Sequence, residues 1–299
     1  MAKRISTNGY SFILGDCLQA LRLLPENSID AVVTSPPYNL GITYSTYNDR
    51  RNDEDYLDWS VSWAMELSRV LKDDGSLFIN IGASPSQPTL PHKLVVRFEE
   101  IFRLQNTFHW IKSISIERPE QETLSVGHFK PINSYRYVND CHEYIFHFTK
   151  EGKTPIDRLA LGVPYQDKSN IARWAHTDGQ DKRCRGNNWF VPYKTIRNRK
   201  NERPHPATFP TQLAENCLRI HGAVEHSIVL DPFVGIGHTA QASLNLGIRN
   251  FAGIDLDEDY LKLSIERTLP NKQIDEVFVG KIKGSSCIGK RSCLPTETF

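Results

Sequence analysis

The chain has 299 residues, 39% of them hydrophobic and 24% charged, with a formal net charge of +1. That leaves room for one sizeable α/β domain plus a smaller insert, or two modest domains, of ordinary soluble globular composition. The near-neutral balance excludes a global basic excess, so any polyanion site has to arise from local clustering.

In chain order, the opening MAKRISTNGYSFIL lacks an apolar core long enough for a signal peptide, and no later apolar run could span a bilayer; a cytoplasmic protein is expected. YSFIL (10–14) reads as a short buried strand ending at Gly15-Asp16. Leu18, Leu21 and Leu24 then fall on helical spacing before Pro25 and Asn27 stop the run. A second strand, 29–33, leads directly into Thr34-Ser35-Pro36-Pro37-Tyr38. Over 56–71 the residues Tyr56, Trp59, Trp63, Leu67 and Val70 recur every three or four positions, which predicts an amphipathic helix.

Strand SLFINIG, a helix over 90–102 and strand FHWIKSI follow. EYIFHF (143–148) alternates weakly and is aromatic-rich, which predicts an antiparallel edge strand. Strand SIVLD (227–231), a helix over 237–246, strand FAGID (251–255) and a helix over 258–267 complete an open α/β sheet of seven strands. Residues 151–205 have no sustained period and read as an insert carrying specificity rather than core. The polar stretch from 279 to 299 reads as a mobile tail.

Asp231-Pro232-Phe233-Val234-Gly235-Ile236-Gly237 follows a strand and opens a helix. Such a turn lets backbone approach a ligand closely and aims N–H groups at a negative group, although a purely structural tight turn has the same composition. Asp255, 24 residues after Asp231, ends the next strand, where an acid can hold two ribose hydroxyls or cap the following helix. The turn lacks the third glycine of dinucleotide folds and the Lys-Ser/Thr of phosphate loops, so a nucleoside outranks NAD or ATP.

The TSPPY turn lies at the carboxyl end of its strand, where open α/β sheets place ligands. Its two prolines remove N–H donors and leave a rigid turn offering acceptors. An aryl amine attacking a methyl sulfonium is a weak nucleophile. Acceptors binding both amino hydrogens pull its nitrogen toward tetrahedral geometry and stabilise the charge that develops. Ser35 Oγ and the Pro36 carbonyl can be those acceptors, and Tyr38 can stack on a base. The alternative is a rigid proline loop with a buried tyrosine.

TSPPY and DPFVGIG, with Gly253-Ile254-Asp255, resemble the amino-directed DNA methyltransferases of bacteria, in the order of their β group. The resemblance spans about 10–270. It implies a circularly permuted, seven-stranded Rossmann-like methyltransferase sheet with an inserted target-recognition region. On this reading 1–150 is the catalytic half, 151–205 the target-recognition insert, and 206–278 the cofactor half of the same domain. The resemblance implies a catalytic turn of Ser35, Pro36, Pro37 and Tyr38. It implies S-adenosyl-L-methionine bound by Asp16 near its adenine, Asp255 at its ribose, and Phe233, Gly235 and Gly237 at its methionine end. Thr34 and Asp231 of the two motifs, and Thr239 just beyond the second, are further cofactor-binding residues on this reading. His205 to Thr211, with Pro206 and Thr211, resembles the remaining cofactor segment. In this family an SPP turn is commonest for cytosine N4 and DPP for adenine N6, so cytosine N4 is favoured and adenine N6 is the alternative. A homodimer and a cognate restriction endonuclease are the partners the resemblance suggests.

Lys182, Arg183, Arg185, Lys194, Arg197, Arg199, Lys200 and Arg203 stand within 22 residues against one acid, Glu202. This is the electrostatic footprint of double-stranded DNA binding, with Asn187, Asn188, Trp189 and Tyr193 interleaved; a solvated charged loop is the plainer reading. His142 and His147 lack a metal partner at ligand spacing and are expected to be structural. Six cysteines (Cys17, Cys141, Cys184, Cys217, Cys287, Cys293) form no CxxC pair, arguing against a zinc knuckle or disulfide framework, and Cys17 lacks the proline-cysteine setting of ring-carbon methylation. A non-catalytic DNA-binding module with the same fold, and transfer to an RNA base, are the rival readings.

Overall fold

The computed structural model describes residues 3–7, 9–42, 47, 49–116, 124–127, 132–194 and 209–269. In chain order these form β1 (Lys3–Thr7), β2 (Tyr10–Leu14), α1 (Cys17–Leu21), β3 (Ile29–Thr34), α2 (Asp53–Val70), β4 (Leu71–Ile81), α3 (Leu90–Phe98), β5 (Arg103–Ile116), β6 (Leu124–Gly127) and β7 (His142–Thr149). They continue with α4 (Ser169–Arg173), β8 (Asn188–Lys194), α5 (Thr211–His221), β9 (Ile228–Asp231), α6 (His238–Asn245), β10 (Asn250–Asp255) and α7 (Glu258–Thr268).

The ten described strands make one sheet in the order β1-β2-β10-β9-β3-β4-β7-β5-β6, with β8 paired to β5. Strands β2, β10, β9, β3 and β4 are parallel. Such strands are buried on both faces and therefore read as apolar runs; Ala31, Val32 and Val33 of β3 are all buried. Strand order reverses between β9 and β3, so the loops leaving these two strands, DPFVGIG and TSPPY, open side by side into the crevice of a topological switch point. Helices α1, α2 and α3 pack on one face, and α5, α6 and α7 on the other.

Helix α2 shows how packing fixes the site. Asn52 caps it by accepting from the Asp55 amide at 2.8 Å, and Asp53, Glu54 and Asp55 favour its positive amino end. Its Trp63 is fully buried, wedged between Phe98 (ring centroids 5.1 Å apart) and Phe233 (5.5 Å). Burying such a ring contributes roughly 3 kcal/mol and also holds Phe233, the aromatic of the glycine turn.

Two expectations need correcting. β7 is no edge strand: it pairs antiparallel with β4 on one side and β5 on the other, with Tyr144, Phe146 and Phe148 on one face and Ile145 and His147 on the other. The 151–205 stretch is not devoid of core, because β8 lies parallel to β5 and buries Trp189 and Val191, with Trp110 Nε1 donating to the Val191 carbonyl at 2.7 Å. No helix among the described residues is long and apolar enough to cross a membrane.

Candidate active site

One cavity lies over the switch point. Ser35, Pro36, Pro37 and Tyr38 form one wall, Phe233, Val234, Gly235 and Ile236 a second, and Gly15, Asp16 and Cys17 a third, with Asp255 also lining it. The structure thus brings together the TSPPY turn, Asp16, Phe233, Gly235 and Asp255, which the sequence places in four separate segments.

Asp255 accepts from the Gly235 amide through Oδ2 (2.8 Å) and from the Asp257 amide through Oδ1 (2.9 Å). Burial pushes its carboxyl up to about 6, against the opposing pull of those two amides. The helix-cap role belongs to Asp257, whose carboxylate accepts from the Asp259 and Tyr260 amides. Backbone amides thus fix the Asp255 carboxylate where it lines the cavity. Asp16 caps α1 through the Gln19 amide at 3.1 Å while lining the cavity.

Thr34, Asp231 and Thr239 do not line the cavity; they lie beneath it, fully or almost fully buried. Thr34 Oγ1 donates to Asp231 Oδ1 and Thr239 Oγ1 to Asp231 Oδ2, both at 2.7 Å, and the Phe233 amide adds a third bond at 3.0 Å. Burial still raises the Asp231 carboxyl to about 6.

The glycine turn spends its amides internally: Val234 donates to Ile254, Gly235 to Asp255 and Gly237 to Val234. These three amides are not open to a ligand, which leaves those of Ile236, on the cavity wall, and of the amino end of α6. Gly237 lies off the lining, with φ +86°, and a Cβ there would fall 2.2 Å from Ser264 Oγ. It permits the close approach of α7. Thr211 opens α5, and its hydroxyl meets His238 Nδ1 at 3.0 Å, with His238 rather than Thr211 on the cavity wall.

In the TSPPY turn the Pro37 carbonyl is taken by the Tyr56 hydroxyl at 2.8 Å. The Pro36 carbonyl accepts no bond from any described residue. Ser35 Oγ lies 2.8 Å from the Tyr38 hydroxyl, and Tyr38, 9% exposed, donates to Glu143 Oε2 at 2.9 Å. Asn80 Nδ2 donates to both Tyr38 and Glu143, and Lys112 Nζ pairs with Glu143 Oε1 at 2.6 Å.

A model of the DNA methylase family matches residues 29–266, with TSPPY and DPFVGIG both inside the match. The chain belongs to this family. It is 30% identical over 258 residues to the Type II methyltransferase M.HpaI of Haemophilus parainfluenzae, covering 85% of this chain and 73% of that one. It is 25% identical over 297 residues to the DNA adenine methyltransferase YhdJ of Escherichia coli K12, covering 97% and 94%. Among solved structures, PvuII DNA methyltransferase (cytosine-N4-specific) shares the fold with a TM-score of 0.63 at 20% identity, covering 91% of both chains. TTHA0409 of Thermus thermophilus, complexed with S-adenosyl-L-methionine, has a TM-score of 0.56 at 26% identity, covering 88% and 93%.

Sequence reasoning missed several residues of this DNA methylase's cavity. Arg51 lines it, with its guanidinium over the Tyr47 and Trp59 rings at 5.4 and 5.0 Å. Its loop is built around buried Asp49, which accepts from the amides of Asn39, Leu40 and Ile42. The Asp49 and Arg51 that follow the TSPPY turn in the sequence were the available hint. Glu143, Asn80 and Lys112 come from three strands and leave no local pattern. Cys17 lines the cavity as a buried thiol pushed up to about 12, which denies it nucleophilic character.

Of the basic insert, Lys182, Arg183 and Arg185 lie where Val163 and Arg183 pair as an isolated antiparallel bridge. Arg183 and Arg185 are exposed, their Nε atoms donating to the Pro164 and Leu161 carbonyls at 3.2 and 3.1 Å. Lys194 ends β8. Arg197, Arg199, Lys200, Arg203 and Pro206, and the tail from 279, fall outside the described residues. His147 is buried between Asn106 Nδ2 and Ser76 Oγ, each at 3.0 Å, and its ring stacks on Phe78.

Proposed function

We propose that this DNA methylase transfers a methyl group from S-adenosyl-L-methionine to the exocyclic amino group of a base in duplex DNA, with cytosine N4 as the target. One observation carries the reading. Ser35 and Pro36 line the same cavity as Asp255 and Phe233, so an amine acceptor pair and a nucleoside cradle can share one space.

The lining fits the cofactor. Asp255 supplies a fixed carboxylate on the cavity wall for a vicinal diol, Asp16 faces the base end, and Phe233, braced by Trp63, covers the apolar reach between them. When bound, the cofactor supplies an electrophilic sulfonium methyl. The chain's own part is orientation. Ser35 Oγ and the Pro36 carbonyl accept the two amino hydrogens and localise the nitrogen lone pair, and the Tyr38 ring walls the position of the extruded base. Thr34, Asp231 and Thr239 act from beneath by locking the two loops together. Lys182, Arg183, Arg185, Lys194, Arg197, Arg199, Lys200 and Arg203 contact phosphates. The serine of the SPP turn supports cytosine over adenine.

The relatives named as Type II methyltransferases support a role in restriction-modification; a cognate endonuclease as functional partner and a homodimer as the working assembly are part of the same proposal. The deciding experiment incubates the protein with duplex DNA and labelled donor, digests the product to nucleosides and identifies them by mass spectrometry. N4-methyldeoxycytidine is expected. N6-methyldeoxyadenosine would overturn the base assignment, and unlabelled DNA would overturn the activity.

A further inference from the structure

The hydroxyl of Ser35 is both donor and acceptor, and only its acceptor face suits an amine that offers two hydrogens. Something has to aim the serine's own hydrogen away from the substrate. The chain of contacts behind it does this. Lys112 Nζ, which can only donate, lies 2.6 Å from Glu143 Oε1. Glu143 Oε2, a carboxylate oxygen that can only accept, receives the Tyr38 hydroxyl at 2.9 Å and Asn80 Nδ2 at 2.6 Å. With its single hydrogen given to Glu143, the Tyr38 oxygen can only accept, from Asn80 and from Ser35 Oγ at 2.8 Å. The Ser35 hydrogen therefore points to Tyr38, which leaves the lone pairs of Oγ as acceptors on the cavity wall.

We propose that Glu143 is a positioning residue which, through the Tyr38 hydroxyl, fixes the polarity of Ser35 as a hydrogen-bond acceptor for the substrate amino group. This rests on the methyltransferase reading above. Lys112 pairs with the carboxylate from the far side and does not set the polarity itself. Glycine at position 82 leaves room for the arrangement, since a Cβ there would meet Glu143 Cγ at 3.2 Å and Tyr38 Cε2 at 3.4 Å.

The substitution Glu143→Gln reverses the chain while keeping its shape. Lys112 draws the amide oxygen, so the amide NH2 faces Tyr38, whose hydroxyl must then turn toward Ser35. The Ser35 hydrogen swings into the cavity and opposes the substrate's own hydrogens. The expected result is a kcat lowered by about 10- to 100-fold, the scale of a misaligned reacting group, with affinity for S-adenosylhomocysteine within about twofold of the parent, a bound that also reports an intact fold. In a Tyr38→Phe background the same change should cost nothing more, because its effect runs through the lost hydroxyl. Lys112→Met leaves a carboxylate that still only accepts, and should retain most of kcat.

Equal losses from Glu143→Gln and Lys112→Met would overturn the proposal in favour of a merely structural ion pair. So would multiplicative losses in the Tyr38→Phe background, or an unchanged kcat in Glu143→Gln. Failure of the parent protein to methylate DNA in the same assay would instead remove the functional reading on which the proposal stands.

Discussion

Thr34 and Asp231, 197 positions apart in the chain, are joined by a 2.7 Å hydrogen bond in which the threonine hydroxyl donates to a carboxylate 1% exposed. The bond ties the strand that delivers TSPPY to the strand that delivers DPFVGIG, so the two halves of the cavity share a buried fastening. Thr34→Val keeps the shape and deletes the donor, leaving Asp231 Oδ1 with only the Phe233 amide. Unfolding free energy should drop by about 1–3 kcal/mol, read from denaturant midpoints at constant slope. A shift below a few tenths would show that the two loops are held independently.

Ser35→Ala removes one of the two proposed acceptors without touching the cofactor side of the cavity. Turnover should fall by about 10²–10³-fold, the usual cost of deleting one preorganised hydrogen-bonding group, while calorimetric affinity for S-adenosylhomocysteine stays put. Full methyl transfer by this variant would remove Ser35 from the chemistry.

Asp255 predicts a pH dependence of cofactor binding. Its carboxyl is raised by burial from 3.8 to about 6 in the free protein, and ribose hydroxyls donate to the ionised form. Affinity should therefore climb as pH rises toward about 6 and flatten above it, and Asp255→Asn should show weaker binding with the climb abolished. Stability runs the other way. With Asp231 and Asp255 both raised, the folded state holds more protons than the unfolded one between 3.8 and about 6, so their contribution is full below 3.8 and is lost as pH rises through that window. Calorimetry across pH 5 to 7.5 tests the first claim; unfolding midpoints over pH 4 to 6.5 test the second.

Gly237 and Gly222 have nearly the same left-handed backbone, φ +86° and +80°, but opposite surroundings. A Cβ on Gly237 would strike Ser264 Oγ at 2.2 Å and the Ser264 Cα at 3.0 Å, forcing α7 away from the turn, whereas one on Gly222 meets nothing within 4 Å. Gly222→Ala should cost only the conformational strain, about 1 kcal/mol. Gly237→Ala should cost that strain plus a steric clash worth about another 1–3 kcal/mol, and should weaken cofactor binding as the turn shifts. Equal destabilisation of the two would mean that α7 yields without penalty.

The seven strands legible in the sequence are all present, because each is an apolar run closed by a turn residue. β8 is hidden in the sequence because Pro192 and the flanking charges mask its buried Trp189 and Val191. The position of β7 between β4 and β5 is a tertiary fact that weak alternation cannot convey. At the site the same divide holds. Ser35, Phe233 and Asp255 sit in motifs whose neighbours are local, whereas Glu143 reaches Tyr38 across 105 positions only because β7 lies against β4. Thr34, Asp231 and Thr239 were legible as cofactor-binding candidates in or beside the motifs, but their mutual hydrogen bonds beneath the cavity were not.

The insert gives the last prediction. Lys182, Arg183 and Arg185 bring three positive charges together around the Val163–Arg183 bridge, and the two arginines are exposed. Each phosphate contact releases condensed counterions, so log affinity should fall linearly with log salt, at about 0.9 per contact. Replacing all three by alanine should flatten that slope by up to about 3 while weakening cognate and unrelated duplexes alike, since phosphate contacts carry no sequence. Binding titrations at several salt concentrations measure it. An unchanged slope would place the DNA elsewhere, whereas selective loss of the cognate duplex would make these side chains readers of bases rather than of the backbone.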